Sequence, residues 1–407
     1  MNTLNLAIIG CGAVIEELHL SSLRRLARKQ AIRVSMLIDP SKERMARLHR
    51  YFPEALCIED IDRAFPRPAV SAALVASPPS LHRQHVQKAL SHGCDVLCEK
   101  PLALTTADIA EMSGAADRHH HLLMVGMTRR FFPSLATAAE LLQSGVLGED
   151  LRFSCLEGGI YQWPIASDAP FGREAGGGGV LVDKGVHVLD SLHWLFGPMT
   201  VTQCQDDALA GGVEGNCRVQ LSGKSCSGTM QLSWDQPIAN GLFVRGSLGE
   251  MRVNPIEFRW IEARRNGRPW ERVPCKPRWP SNLYGARSQT SAPQVYEDCI
   301  YLQWVQFLRS VSYGEAVPVG PREAHAVALQ IESAFAHARP LPQPWLDEAE
   351  QSVAYRRHWQ KAMALDAVPA SIGIATGPPA SKVRFPPGAA ISCQVRTEAL
   401  FQKENQA

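Results

Sequence analysis

"LNLAIIGCGAVIEELHLSSLRRLARKQ", residues 4–30, is the stretch that decides the fold. Leu4 to Ile9 form an apolar run with the length of a buried strand, and Gly10 and Gly12 end it in a turn. Beyond the turn, Ile15, Leu18 and Leu26 recur on one side of a helical pattern. Strand, glycine turn and helix in that order open a dinucleotide-binding βαβ unit. The first glycine permits the tight turn. The second lets the backbone approach a pyrophosphate, with Ala13 and Val14 opening the helix whose N-terminal end meets that charge. The third glycine of G-x-G-x-x-G is missing: Ile15 stands at the position that governs helix–strand packing. A glycine turn also occurs wherever βα units turn, so the fingerprint depends on its context.

The context supplies further strands. "IRVSMLIDPSKERM" (32–45) reads as a second strand ending in Asp39. A carboxylate there accepts hydrogen bonds from the adenosine ribose hydroxyls and repels a 2′-phosphate, which favours NAD over NADP. The alternative is that Asp39 with Pro40 and Ser41 caps the next helix, and nearby Lys42 and Arg44 blur the cofactor preference. "AVSAALVAS" (69–77) leads into a helix opened by prolines at 78 and 79. "DVLCEKP" (95–101), a helix over about 105–118 and the run "LLMVGM" (122–127) follow. Strands alternating with helices of this length predict an α/β, doubly wound parallel sheet. Ligands of such sheets bind past the carboxyl ends of the strands. Gly10, Gly12, Asp39, Ser77, His82, Glu99 and Lys100 all fall there.

The second informative stretch is "EAGGGGVLVDKGVHVLDSLHWLFG" (174–197). Four glycines run into an apolar helix on which Asp183 and His187, four apart, share one face. A carboxylate one turn from an imidazole raises its pKa and fixes its tautomer. The plainer alternative is a capping Asp183 paired locally with His187. No further ligands at suggestive spacing support a metal there, and "HHH" (119–121) reads as solvated histidines favourable to a helix C-terminus. Around this helix the period changes to two: "LRFSCLEGG" (151–159), "NCRVQLSG" (216–223), "SGTMQLSWD" (227–235) and "GLFVRGSLGEMRVN" (241–254), the last a hairpin turning at 247–249. Apolar stripes Ile300, Trp304, Phe307, Leu308, Val311 and Val327, Ile331, Phe335 predict two later helices. The expectation is an α+β domain with a large open, mainly antiparallel sheet, whose uncovered face carries a homodimer or homotetramer contact.

Gross composition fits this division. A chain of 407 residues exceeds one ordinary core, and 45% hydrophobic residues is globular. Residues 1–127 read as the dinucleotide-binding domain and 128–346 as the substrate and oligomerisation domain. Residues 347–407, rich in Pro, Gly, Ala and Ser towards the end, read as an extension that is partly disordered or draped over a partner. Forty-two basic against 40 acidic residues leave a net charge of +2, which gives no reason to expect a nucleic acid or anionic membrane as partner. No signal peptide or membrane span is read, and eleven scattered cysteines suit a reducing compartment, so the expected location is the cytoplasm.

"GCGAVI", "ASPPSLH", "VLCEKPLALT", "VGMTRRFFP" and "GGGGVLVDKGVHVLD" occur in the order and spacing of the GFO/IDH/MocA oxidoreductases, and residues 4–345 resemble that family. The resemblance implies a Rossmann domain holding a nicotinamide cofactor and a lysine of the E-K-P stretch, Lys100, beside the nicotinamide and the substrate hydroxyl. It places Asp183 and His187 in the same cleft, Ser77, Pro78 and His82 near the nicotinamide ribose, and Glu99 as a cofactor-side acid. It also implies a cis bond before Pro101. On this footing His187, oriented by Asp183, is the natural base, and Lys100 the cation that stabilises alkoxide charge, although the two roles exchange readily. Tyr161 and Trp163 offer flat faces for a sugar or cyclitol ring, or simply pack the sheet. Arg130, beside Arg129, offers a holder for a substrate carboxylate or phosphate, or an interdomain ion pair. The leading expectation is an NAD-dependent sugar or cyclitol oxidoreductase, with NADP as the alternative cofactor. Its rivals are a non-catalytic nicotinamide-binding regulator or assembly partner, and an enzyme that retains NAD and acts by transient oxidation.

Overall fold

In the computed structural model, residues 3–65, 70–163, 172–208, 212–275 and 295–342 are described. The expected strand–turn–helix opening forms: β1 (Leu4–Ile9) runs to the glycine turn, and a π-helical turn, Ile15–His19, leads into α1 (Leu20–Arg28). The strands β2 (Ile32–Ile38), β3 (Leu56–Ile58), β4 (Ala72–Val75), β5 (Asp95–Cys98) and β6 (Leu123–Val125) complete a six-stranded sheet of order β3-β2-β1-β4-β5-β6. All its pairings are parallel. Helices α2 (Lys42–His49), α3 (Ile61–Ala64), α4 (Pro79–Ser91) and α5 (Thr106–His119) connect the strands. Leu6, Ala7, Ile8, Ala72, Ala73, Leu74 and Val75 are fully buried, which is why these runs are continuous rather than alternating. Each such Leu, Ile or Val contributes about 1.5–3 kcal/mol by leaving water. The order reverses between β1 and β4, so the crevice at their carboxyl ends is the place for a ligand.

The second sheet has nine strands: β7 (Leu151–Gly158), β8 (Met199–Asp206), β9 (Asn216–Gly223), β10 (Cys226–Ser233), β11 (Gly241–Arg245), β12 (Gly249–Val253), β13 (Trp260–Arg265), β14 (Glu271–Pro274) and β15 (Ala338–Pro340). Its order is β14-β13-β12-β11-β7-β10-β9-β8-β15, antiparallel except for the β7/β10 and β8/β15 pairs. The alternation expected from the sequence is observed. Phe153, Cys155, Met230, Leu232, Leu242, Val244, Met251 and Val253 are buried on one face, while Ser154, Thr229, Gln231 and Arg252 lie on the other. On the sheet, α6 (Pro133–Gln143) packs against β12 and β13, α8 (Val186–Phe196), which follows the short α7 (Arg173–Gly176), against β7 through Phe196 and Phe153, and α10 (Pro321–Ala336) against β8, while α9 (Tyr296–Tyr313) packs on α1. Trp304 and Phe307 of the predicted stripe are fully buried. No described helix is long and apolar enough to cross a membrane. The extension expected over 347–407 lies outside the described residues.

Candidate active site

The nucleotide cradle is built by the glycines. Gly10 has φ +91°, and a Cβ on it would meet the Ser77 nitrogen at 2.6 Å, so only glycine lets the β1 turn lie against the β4 loop. A Cβ on Gly12 would meet nothing within 4 Å: its open side is a space a ligand phosphate fits. Ala13 and Val14, half-buried, begin the helix there. Ile15 is fully buried and turns its bulk into the core, away from that space. Asp39 is 3% exposed and bonds the backbone on both sides. One oxygen accepts from the Cys11 N–H at 2.8 Å and the other from the Ser41 N–H at 2.8 Å, with Arg44 at 4.0 Å. It ties the glycine turn to the start of α2, and each oxygen keeps a second lone pair. Cradle and carboxylate together fit a dinucleotide.

Lys100 follows β5, and its bond to Pro101 is cis, as the resemblance implies. Its Nζ donates to the Asp183 carboxylate at 2.9 Å and to the Asp183 carbonyl at 3.0 Å. The other Asp183 oxygen accepts from the Trp234 indole at 3.2 Å. Burial pushes the Asp183 pKa up, but Lys100 and Trp234 outweigh it and hold the carboxyl below its ordinary range. The hydrogen bonds of the Asp183 carboxylate among the described residues thus go to Lys100 and Trp234 rather than to His187. Leu181–Gly185 is a π-helical turn, so the angle between Asp183 and His187 differs from that of a regular α-helix. His187 heads α8 with its Nδ1 buried and unpartnered among the described residues. Burial, then the charges of Lys100 and Arg129, push its pKa well down instead of up. The ring is neutral at pH 7.

The glycine run has a structural cause that the sequence does not reveal. Glu214 is fully buried and its Oε1 accepts from the N–H groups of Gly179 at 2.9 Å and Leu181 at 3.0 Å, capping the turn that carries Asp183. A Cβ on Gly179 would lie 1.9 Å from the Glu214 carbonyl oxygen. Burial raises the Glu214 pKa although those two N–H bonds oppose it.

Several expected ligand residues are otherwise occupied. His82 is buried and its two ring nitrogens face the Pro101 carbonyl at 2.9 Å and the Ser77 carbonyl at 2.8 Å. It braces two loops, and burial lowers its pKa against the pull of those carbonyls. Ser77 Oγ pairs with His85 at 2.9 Å, and Pro78 is exposed at the head of α4. Glu99 is 7% exposed: one oxygen meets His19 Nε2 at 2.9 Å, the other the Lys100 N–H at 3.2 Å. Arg130 forms a bidentate pair with Asp190 at 2.7 and 2.8 Å, 9% and 1% exposed, with its guanidinium 5.1 Å over the Trp194 ring. This is the ion-pair geometry that the sequence left as one alternative. Arg129 pairs likewise with Glu157, both bonds 2.7 Å.

Tyr161 does reach the site. Its ring meets Trp234 edge-on at 5.2 Å, and burial, then the Asp183 charge, raise its hydroxyl pKa. Trp163 is half-buried and has no hydrogen bond or ring pairing with this cluster among the described residues. The structure thus gathers Lys100, Asp183, Trp234 and Tyr161 beside His187. Trp234, His19, Glu214 and Trp304 went unmarked in the sequence. Trp304 read only as a member of an apolar stripe and Trp234 only as part of the alternating run 227–235, yet a buried indole N–H needs an acceptor, and that need was the available signal.

Comparison with known proteins agrees with this geometry. Residues 4–127 match the family model described as "Oxidoreductase family, NAD-binding Rossmann fold", and residues 135–252 match the "GFO/IDH/MocA C-terminal domain". The chain is 33% identical over 203 residues to a 2,7-anhydro-N-acetylneuraminate hydratase of Mediterraneibacter gnavus, covering 49% of this chain and 51% of that one. It is 29% identical over 203 residues to an inositol 2-dehydrogenase of Corynebacterium glutamicum, covering 49% and 56%. The chain therefore spans about half the length of these curated relatives. A levoglucosan dehydrogenase solved with NADH and levoglucosan shares the fold, with TM-score 0.70, 19% identity, and 82% of this chain and 98% of that one covered. With both halves matched, and Lys100 and Asp183 in ion-pair contact beside a dinucleotide cradle, the chain belongs to the GFO/IDH/MocA oxidoreductase family.

Proposed function

We propose that the chain is an NAD(P)-dependent oxidoreductase acting on a secondary alcohol or ketone of a sugar, sugar derivative or cyclitol. In this reading residues 1–127 hold the cofactor and 128–346 bind the substrate. The observation that carries it is the Lys100–Asp183 contact at 2.9 Å, set at the carboxyl end of β5 in the crevice that the glycine cradle opens. Gly10, Gly12, Ala13, Val14 and Asp39 would hold the dinucleotide, and the nicotinamide supplies or accepts the hydride when bound. Lys100 Nζ polarises the substrate oxygen and stabilises alkoxide charge. Asp183, ionised by Lys100 and Trp234, fixes that ammonium in place. His187, neutral at pH 7, takes up the hydroxyl proton in oxidation and returns it in reduction. Tyr161 offers its ring edge to the substrate. The open face of the nine-stranded sheet is the surface proposed for a second copy of the chain.

The test is a fluorescence titration with NADH and NADPH, followed by a panel of sugars and cyclitols with the tighter-binding nucleotide. Binding of one nucleotide and turnover by absorbance at the nicotinamide band is the expected result; absence of nucleotide binding refutes the proposal. A second reading is favoured by the match to a hydratase: the same residues serve a reaction in which hydride is taken and then returned. It shows as substrate conversion with no net nucleotide reduction.

A further inference from the structure

Beneath Lys100 lies a buried polar chain that the mechanism above does not use. The Trp304 indole on α9 donates to His19 Nδ1 at 2.9 Å. Nδ1 is then an acceptor, so the neutral ring carries its proton on Nε2, which donates to Glu99 Oε1 at 2.9 Å. Glu99 Oε2 accepts the Lys100 N–H at 3.2 Å. Trp304 and His19 are 0% exposed and Glu99 7%. The rings of His19 and Trp304 meet edge-on, 5.9 Å between centroids at 87°. Gly126 leaves the room: a Cβ there would stand 2.7 Å from Glu99 Oε1. The three side chains come from the π turn after the cradle, from the residue before Lys100, and from a helix more than two hundred and seventy residues after His19 in the chain.

A buried carboxylate is costly unless paired, and an apolar side chain at position 99 would pack more cheaply. What Glu99 adds is a fixed acceptor for the Lys100 N–H and a negative charge under that residue. Burial opposes ionisation, but His19 and Lys100 prevail and hold the carboxyl below its ordinary range. Trp304 in turn selects the tautomer. Without its N–H, neutral His19 is free to protonate Nδ1 and present a lone pair to the carboxylate, which then loses its donor.

We propose that Trp304, His19 and Glu99 are positioning residues, a hydrogen-bonded relay that sets the backbone of Lys100 and so aims its ammonium at Asp183. The proposal rests on the reading of Lys100 as the reactive lysine. Its first test needs neither cofactor nor turnover: ¹⁵N NMR of the ligand-free full chain. Wild-type His19 is expected as the Nε2–H tautomer near neutral pH. The Lys100 Nζ resonance, assigned by its loss in Lys100→Arg, is expected to move in both Trp304→Phe and Glu99→Gln. The second test is kinetic. Trp304→Phe lowers kcat about tenfold, the loss of roughly one hydrogen bond between neutral groups, with KM and nucleotide affinity unchanged. Trp304→Phe combined with Glu99→Gln is no slower than Glu99→Gln alone, because both act through one path. An Nδ1–H or doubly protonated His19 in the wild type, an unmoved Lys100 resonance, or additive kinetic losses overturn the relay. The wild-type His19 spectrum decides even where Trp304→Phe fails to fold. A wild type that turns over no sugar refutes the functional reading while the NMR still judges the relay.

Discussion

Arg130→Met separates a buried ion pair from a substrate contact. The guanidinium meets Asp190 through two bonds of 2.7 and 2.8 Å, with Asp190 1% exposed. Methionine keeps most of the apolar stem but leaves the carboxylate buried without its partner. Breaking such a pair costs about 3–5 kcal/mol, a shift of roughly a hundred- to a few-thousand-fold in the folding equilibrium. With a urea slope of about 3 kcal/mol per molar, the unfolding midpoint falls by about 1–2 M. Equilibrium urea unfolding followed by tryptophan fluorescence measures it. Adding Asp190→Leu recovers most of the loss, since an apolar pair of similar volume replaces the ions at little cost. An unchanged midpoint together with a raised KM for the substrate refutes the burial argument and returns Arg130 to the substrate.

Lys100→Ala lowers turnover by about 10²–10⁴-fold while nucleotide affinity holds, measured by steady-state kinetics beside an NADH titration; equal loss of both marks a structural lysine. Gly12→Ala leaves the unfolding free energy within about 0.5 kcal/mol of wild type, because its Cβ enters open space, but weakens NADH binding. Gly179→Ala does the reverse, destabilising by about 1–3 kcal/mol through its clash with the Glu214 carbonyl, and equal melting of the two variants contradicts both assignments. His187 and His85, the latter depressed to about 4, bind fewer protons folded than unfolded at pH below about 6.5. Stability therefore rises with pH up to about 6.5 and is lost as pH falls from there towards about 4. His85→Gln flattens that slope in urea titrations across the window; an unaltered slope contradicts the assignment.

The fold was legible because it rests on periodicity. Leu4–Ile9, Ala72–Val75 and the alternating runs of the second sheet announce their burial residue by residue. β3 and β15, of three residues each, carry too little pattern to be noticed. Of the proposed site, the parts legible in sequence are those concentrated in short stretches: the cradle, Lys100 and Asp183. It was not legible where a partner arrives from far along the chain. Asp190 for Arg130, Trp234 for Asp183, Glu214 for the glycine run and Trp304 for His19 are matched by topology, and spacing in one sequence does not encode such pairs. His82 illustrates the opposite limit. Its motif was recognised, but only the two carbonyls it faces reveal a brace.

The two π-helical turns, Ile15–His19 and Leu181–Gly185, each stand immediately before a regular helix. Each amounts to one surplus residue in a helical reading frame, and the frame is reset within the turn rather than at the cap. Chain length is therefore a coded quantity here in its own right. Excision of a single residue between 181 and 185 would restore an unbroken α-helix and swing Asp183 round the axis by about one residue's rotation relative to α8. With Val182 or Lys184 as the residue removed, every other side chain would survive, yet the carboxylate would face another wall. The same holds for His19 ahead of α1. An alignment that lays a continuous helix across either segment will be out of step by one on one side of it, however well its residue types agree.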